Sequence, residues 1–187
     1  MLCGGVLGAV ETRAAAGGAV RLVGRFPYGI AAELAPGRAE IIAPGAFAPR
    51  IDAGDNILLL AGHDSNRPLA SRRAGTLALR QTADALEVEA VLDGHITRTS
   101  WAADFLSAHA AGLVRGLSPG FVVRQGGERI ERRAGGLLRT VTAADLYELS
   151  AVTEPAYAEA AVEARRWYPP AADPAHGPIR AMARWRA

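Results

Sequence analysis

A histidine and a serine each stand where a short apolar run ends. Residues 57–61 lead through a glycine into His63, and residues 116–117 lead into Ser118. A serine hydroxyl is a poor nucleophile at neutral pH and needs a neighbouring base to take its proton. A serine and a histidine held at the ends of two strands therefore supply the minimum parts for acyl transfer. The bare pattern also fits an ordinary loop histidine and an ordinary turn serine.

Glu148 is a candidate for the third polar group, which would hold the histidine in the required tautomer. Strand alternation across residues 146–152 places Glu148 on one face with Leu146 and Ser150. A carboxylate between apolar neighbours on a central strand is costly unless it is paired, and an imidazole would pair with it. An edge-strand glutamate that faces water fits the same periodicity.

The composition limits the classes of protein to which the chain could belong. Its 187 residues, half of them hydrophobic, suffice for one domain with a core and are few for two. All 21 basic residues are arginine, and the net charge of +2 is too small to suggest a nucleic-acid-binding protein. The single cysteine, Cys3, excludes an internal disulfide framework and a multi-cysteine metal site.

Targeting patterns point to a soluble protein. The apolar segment 2–10 has no basic region before it and is followed at once by Glu11 and Arg13, which argues against a signal peptide. No apolar run reaches the ~18 residues of a membrane helix. We therefore expect a cytoplasmic protein that does not associate with membranes.

Hydrophobic periodicity predicts the order of the elements. Strands are expected over residues 19–34, 39–43, 57–61, 75–80, 86–92, 113–124 and 137–152, the last as one long or two short strands. The strands 75–80 and 86–92 are spaced for a β-hairpin. Helices are expected over residues 46–53, 96–112 and 156–167.

These elements together predict an α+β fold. The expected architecture is a closed or strongly curved, mainly antiparallel β-barrel with two or three flanking helices. Residues 1–18 are expected to form a weakly ordered lead-in and residues 19–168 the folded domain. Residues 169–187, rich in proline, alanine and arginine, are expected to form a flexible tail.

Four segments, in this order, carry a resemblance to a known family. They read IAPGAF (42–47), LAGHD (60–64), GLSPGF (116–121) and YELSAVTEPAY (147–157). Each is weak alone, but together the chain resembles, over roughly residues 20–165, the phage prohead proteases of the Hong Kong 97 type. These capsid-maturation serine endopeptidases are related in fold to the herpesvirus assemblins, so the resemblance implies a herpesvirus-protease-like fold.

The resemblance also implies the roles of the site residues. Ser118 would attack the scissile carbonyl, and His63 would act first as general base and then as general acid. Glu148 would orient His63, although the herpesvirus relatives use a second histidine, which makes His95 and His109 its rivals. Asp64 follows His63 directly and points elsewhere if the chain there is extended, which leaves it a role in stabilising its own loop. No cofactor and no metal are implied.

One position departs from the family pattern. Pro119 stands where the family has an aromatic or aliphatic residue, and a proline has no N–H to donate to an oxyanion. The oxyanion hole would then use other backbone donors, with Gly120 or a separate loop as the candidates.

The function implied is that of a serine endopeptidase inside the assembling procapsid. It would process the major capsid protein or its scaffolding segment, and it would also cleave itself. Self-association is an open possibility. The particle could be a phage, a prophage remnant or a gene-transfer agent. Two other interpretations remain open: a catalytically inactive capsid-assembly or scaffolding module with the same fold, and an unrelated ligand-binding β-barrel that explains none of the four segments.

Overall fold

Strands dominate the structure, a computed structural model in which residues 8–14 and 19–153 are described. The strands are β1 Gly8–Ala14, β2 Val20–Pro27, β3 Ala31–Ala35, β4 Arg38–Ile42, β5 Leu58–Ala61, β6 Pro68–Ser71, β7 Leu77–Gln81, β8 Ala85–Leu92, β9 Val114–Val123, β10 Glu128–Arg133, β11 Gly136–Val141 and β12 Ala144–Thr153. The helices are α1 Ala48–Asp52 and α2 Ser100–Ala110, the latter preceded by a 3-10 turn at Ile96–Arg98. Neither is long and apolar enough to cross a membrane.

The strands form two sheets. The larger has the order β6-β5-β12-β9-β1-β2-β8-β7, and the smaller has the order β10-β11-β4-β3. Most neighbours are antiparallel, but β4 pairs with β11 in parallel, and β5 pairs with β12 in parallel. The smaller sheet contains a buried ion pair between Arg139 and Glu40 at 3.3 Å. Arg139 also pairs with Glu128 on β10.

The core lies against the inner faces of these strands. The side chains that are wholly enclosed include Phe47, Leu86, Leu92, Leu117, Leu146 and Leu149. Aromatic rings pack within this core, with the centroids of Phe47 and Phe121 5.4 Å apart. Burying such large apolar side chains is the main source of stability for a fold of this kind.

The expected fold class is wrong. Over residues 8–14 and 19–153 the protein is mostly β with few helices, and its sheets are open rather than closed into a barrel, because β6 and β7 stand at opposite ends of the larger sheet. Alternation along a strand shows which residues face inward, but it does not show which strands become neighbours. The pattern therefore could not distinguish a closed sheet from an open one.

Individual elements agree better with the structure. The hairpin of β7 and β8 is confirmed, and the helix expected over residues 96–112 is present as the 3-10 turn and α2.

The single strand expected over residues 19–34 is wrong, because Gly29 adopts a φ of 73° and divides it into β2 and β3. The pattern missed β6. Residues 8–14, expected to be weakly ordered, form β1, which pairs with β2 and β9. The helix expected at 156–167 and the tail 169–187 lie outside the described residues.

Three neighbouring strands position the residues that could do chemistry. In the larger sheet β12 lies between β5 and β9. Ser150 on β12 pairs with Ser118 on β9, and Glu148 pairs with Gly120. His63 follows β5, the other neighbour of β12. The sheet thus brings together residues that are far apart in the sequence.

Candidate active site

His63 occupies a tight turn with an unusual backbone conformation. Gly62 and His63 have φ values of 66° and 61°, and the Asp64 N–H donates to the Ala61 carbonyl at 3.4 Å. Two consecutive left-handed residues are typical of a type I′ turn. His63 is the one non-glycine residue with positive φ in the described part of the chain. This conformation costs roughly 1 kcal/mol or more for a residue with a Cβ, so it persists only where the surroundings hold it.

The imidazole of His63 bonds to Glu148. Its Nδ1 lies 2.8 Å from Glu148 Oε1. The Glu148 side chain is 4% exposed, whereas that of His63 is 44% exposed. A carboxylate only accepts hydrogen bonds, so Nδ1 carries the proton in the neutral ring, and the lone pair is on Nε2. The pair therefore offers a histidine whose second nitrogen can accept a proton.

Ser150 links the same two residues a second time. Its Oγ donates to Glu148 Oε2 at 2.6 Å and accepts the backbone N–H of His63 at 3.0 Å. Ser150 is fully buried. Strand alternation predicts Ser150 on the same face as Glu148 but indicates no role for it. The two-residue spacing on one strand is the signal that could have suggested one.

Ser118 faces the same side of the sheet. Residues directly opposite on antiparallel strands present their side chains on one face, and Ser118 stands opposite Ser150. Ser118 is partly exposed. The structure thus places the three predicted site residues in one region of the larger sheet, Ser118 on β9, Glu148 on β12 and His63 after β5.

Gly120 leaves the space that Glu148 occupies. A Cβ at this position would lie 2.0 Å from Glu148 Oε1 and 2.7 Å from its Cδ. The carboxylate therefore lies directly over the glycine backbone. Sequence reasoning considered Gly120 as an oxyanion donor and missed this packing role, which no pattern along β9 reveals.

A β-bulge overturns one detail of the predicted strand. The register shifts between Leu146 and Glu148, where two steps along β12 match one step along β9, from Phe121 to Gly120. Leu146 and Leu149 consequently share the core, although strict alternation separates them. The expectation that Leu146 and Glu148 share a face is therefore wrong. Bulges re-aim side chains in this way and are common beside active sites.

The two rival histidines lie elsewhere. The ring of His95 is exposed beside Arg98, with its Nδ1 3.2 Å from the guanidinium. His109 stacks on Phe105, and its Nδ1 lies 2.6 Å from the Val114 carbonyl. Among the three candidates for third member, Glu148 is the one that contacts His63.

Two loops near these residues are held by aspartates. The backbone N–H groups of Ile96 and His95 donate to Asp93, and these hydrogen bonds, chiefly that from Ile96, lower the pKa of Asp93 below its usual value. Asp64 accepts the N–H of Asn66 at 2.9 Å and pairs with Arg67 at 3.1 Å. Asp64 thus stabilises its own loop, as predicted.

Pro119 stands between the serine and the glycine on β9. It is buried opposite Leu149 of β12. Its position on the core face accounts for an apolar side chain there. Within the described residues no cluster of three or more histidine, cysteine or acidic side chains could hold a metal ion.

Comparison with known proteins identifies the family. The chain matches the family described as caudovirus prohead serine protease over residues 27–170, a range that includes His63, Ser118 and Glu148. No curated protein and no solved structure matches the chain. Because the family match spans most of the sequence, the chain belongs to the caudovirus prohead serine proteases.

Proposed function

We propose that this member of the family is an active endopeptidase whose catalytic residues are Ser118, His63 and Glu148. The observation that carries the proposal is the 2.8 Å bond between His63 Nδ1 and the buried Glu148 carboxylate, next to the strand that bears Ser118. A nucleophile, a base and a group that orients the base are the three parts that serine proteases share across unrelated folds. An inactive assembly module would have no need of this arrangement.

The proposed reaction follows from the protonation state of the imidazole. Ser118 Oγ attacks the carbonyl carbon of the scissile peptide bond while His63 Nε2 takes the hydroxyl proton. Glu148 stabilises the imidazolium that forms. His63 then gives the proton to the departing amide nitrogen, which leaves an acyl-enzyme on Ser118. Water, activated by the same nitrogen, attacks the ester and releases the acid product.

The proposed substrate is the major capsid protein or its scaffolding segment, within the assembling procapsid. The support is the family, whose members are prohead proteases. A protease confined with its substrate meets exposed, extended chain at high local concentration, and such chain is what a protease cuts first. By the same argument its own exposed segments are substrates, so we propose that it also cleaves itself.

The test is co-expression with the cognate major capsid protein. The wild-type chain should convert the capsid precursor into discrete fragments on a denaturing gel. Ser118→Ala and His63→Ala should each reduce the cleavage rate by about 10³-fold or more, because nucleophile and base act as a unit. Both variants should keep the wild-type circular dichroism spectrum, since neither truncation removes core packing.

A matched control uses Ser107, an exposed serine on α2. Ser107→Ala deletes the same hydroxyl from an exposed helical position and should cleave at the wild-type rate. Full processing by Ser118→Ala or His63→Ala would overturn the catalytic assignment. Intact precursor with the wild-type chain would instead support the inactive assembly module.

A further inference from the structure

Ser150 makes two hydrogen bonds that connect both ends of the His63–Glu148 pair. Its hydroxyl reaches the carboxylate oxygen that does not contact the imidazole, and it also reaches the backbone N–H of His63. We infer that Ser150 is a positioning residue, which holds the Glu148 carboxylate and the His63 turn in mutual register. This inference rests on the proposed function, because the arrangement that it preserves is the catalytic one.

The direction of each bond follows from the available protons. A backbone N–H can only donate, so Ser150 Oγ accepts from His63 and its own proton is free to go to Glu148. The O–H···O distance of 2.6 Å is in the range of bonds to an ionised carboxylate. Glu148 therefore receives one proton donor on each oxygen, from the imidazole on Oε1 and from Ser150 on Oε2. Two fixed donors leave the carboxylate a single orientation.

Burial makes these bonds hard to replace. Ser150 is fully enclosed and the Glu148 side chain is 4% exposed, so bulk water does not reach the hydroxyl position. Removing the hydroxyl would leave a carboxylate oxygen and a backbone N–H without this partner. The N–H belongs to His63, whose φ of 61° needs support from its surroundings. Loss of Ser150 should therefore allow both the carboxylate and the turn to shift.

A purely structural serine would behave differently from a positioning residue. A structural role lowers the stability of the fold and affects the reaction equally whether or not Glu148 is present. A positioning residue acts through Glu148, so much of its effect disappears when Glu148 is removed. A double-mutant cycle separates the two roles.

The experiment measures labelling of the purified full-length chain by a fluorophosphonate, a probe that reacts with activated serines, together with precursor cleavage. Ser150→Ala should lower both rates by about 10- to 100-fold, the scale expected when a reacting group is misplaced by about 1 Å. The loss should appear in kcat with KM nearly unchanged. In the Glu148→Ala background the same substitution should cause a clearly smaller fold-change. Equal fold-changes in both backgrounds would overturn the inference.

Two further variants guard against misfolding and non-specific effects. Ser150→Cys keeps a donor at this position, a weaker one on a somewhat larger atom, and should have a rate between those of Ser150→Ala and the wild type. Ser71→Ala removes another strand hydroxyl, one that accepts the Ala74 N–H at 3.0 Å, and should leave both rates unchanged. A wild-type rate in Ser150→Ala, with the wild-type chain itself active, would contradict the inference and leave the proposed function standing.

A spectroscopic measurement decides the inference even if the wild-type chain is inert. Nitrogen-15 NMR of labelled histidine reports which ring nitrogen of His63 carries the proton. The wild-type spectrum should show the Nδ1–H tautomer, fixed by Glu148. Ser150→Ala should shift this signal toward a mixture of tautomers, whereas Ser71→Ala should not. An unchanged His63 signal in Ser150→Ala would refute the positioning role.

Discussion

Replacing Gly120 by alanine should disable the enzyme without touching any reacting atom. The added Cβ would lie 2.0 Å from Glu148 Oε1, where ordinary contact begins at 3.4 Å. The oxygen must therefore move by about 1.4 Å, or the β9 backbone must shift instead. Oε1 is the atom that bonds His63 Nδ1 at 2.8 Å, so the bond survives only if the imidazole follows it.

The magnitude follows from the loss of that bond. In a serine protease whose histidine lacks its correctly oriented carboxylate, kcat falls by up to about 10⁴-fold. A displacement of a reacting group by about 1 Å lowers the rate by about 10²-fold. We expect Gly120→Ala to lower the labelling and cleavage rates by about 10²- to 10⁴-fold, or about 3 to 5 kcal/mol of barrier. In the Glu148→Ala background the substitution should have little further effect, because the side chain that it displaces is absent.

Labelling by a fluorophosphonate and cleavage of the capsid precursor would both be measured. Gly135→Ala is the matched control, because a Cβ there meets no atom within 4 Å. It should react like the wild type. Wild-type rates in a folded Gly120→Ala protein would show that the carboxylate is not held as described or that His63 does not depend on it.

Two predictions remain. Glu148→Gln should slow cleavage by about 10²-fold or more and leave the unfolding midpoint similar, because the amide cannot stabilise an imidazolium as a carboxylate does. If His95→Ala or His109→Ala slows cleavage in this way and Glu148→Gln does not, the third member is assigned wrongly. Since the pKa of Asp93 is lowered in the folded protein, its charge stabilises the fold above the usual aspartate pKa, and this contribution is lost as the pH falls through the lowered value. The thermal midpoint of Asp93→Asn should accordingly lie below that of the wild type at neutral pH, and the gap should close in acid as the pH falls through the lowered pKa. A gap that persists or widens in acid would contradict this sign.

The residues of the candidate site could be found from the sequence, but the contacts among them could not. His63, Ser118 and Glu148 were identifiable because their types and the segments around them follow a known order. The pairing of His63 with Glu148 requires β5 and β12 to be parallel neighbours, and no local pattern encodes a pairing over 85 residues. The open sheet was missed for the same reason.

Details that depend on close packing were equally invisible. Alternation predicted one face for Leu146 and Glu148, whereas the bulge between them assigns Leu146 to the core. Gly120 is an ordinary strand glycine until the carboxylate above it is seen. Positive φ at His63 is not marked by its residue type, although histidine tolerates this region better than most residues.

The strand order also determines when the site can exist during synthesis. The hairpin of β5 and β6, which ends one edge of the larger sheet, adjoins the other strands through β12, and β12 is the last strand described along the chain. A ribosome that has made His63 and Ser118 has not yet made the strand that joins them. Nascent chains and chains with a detached β12 therefore lack the strand that brings His63 and Ser118 together. Under the proposed catalytic assignment, the site cannot form before β12 joins the sheet, so chains that lack this strand would be inert toward capsid proteins synthesised beside them.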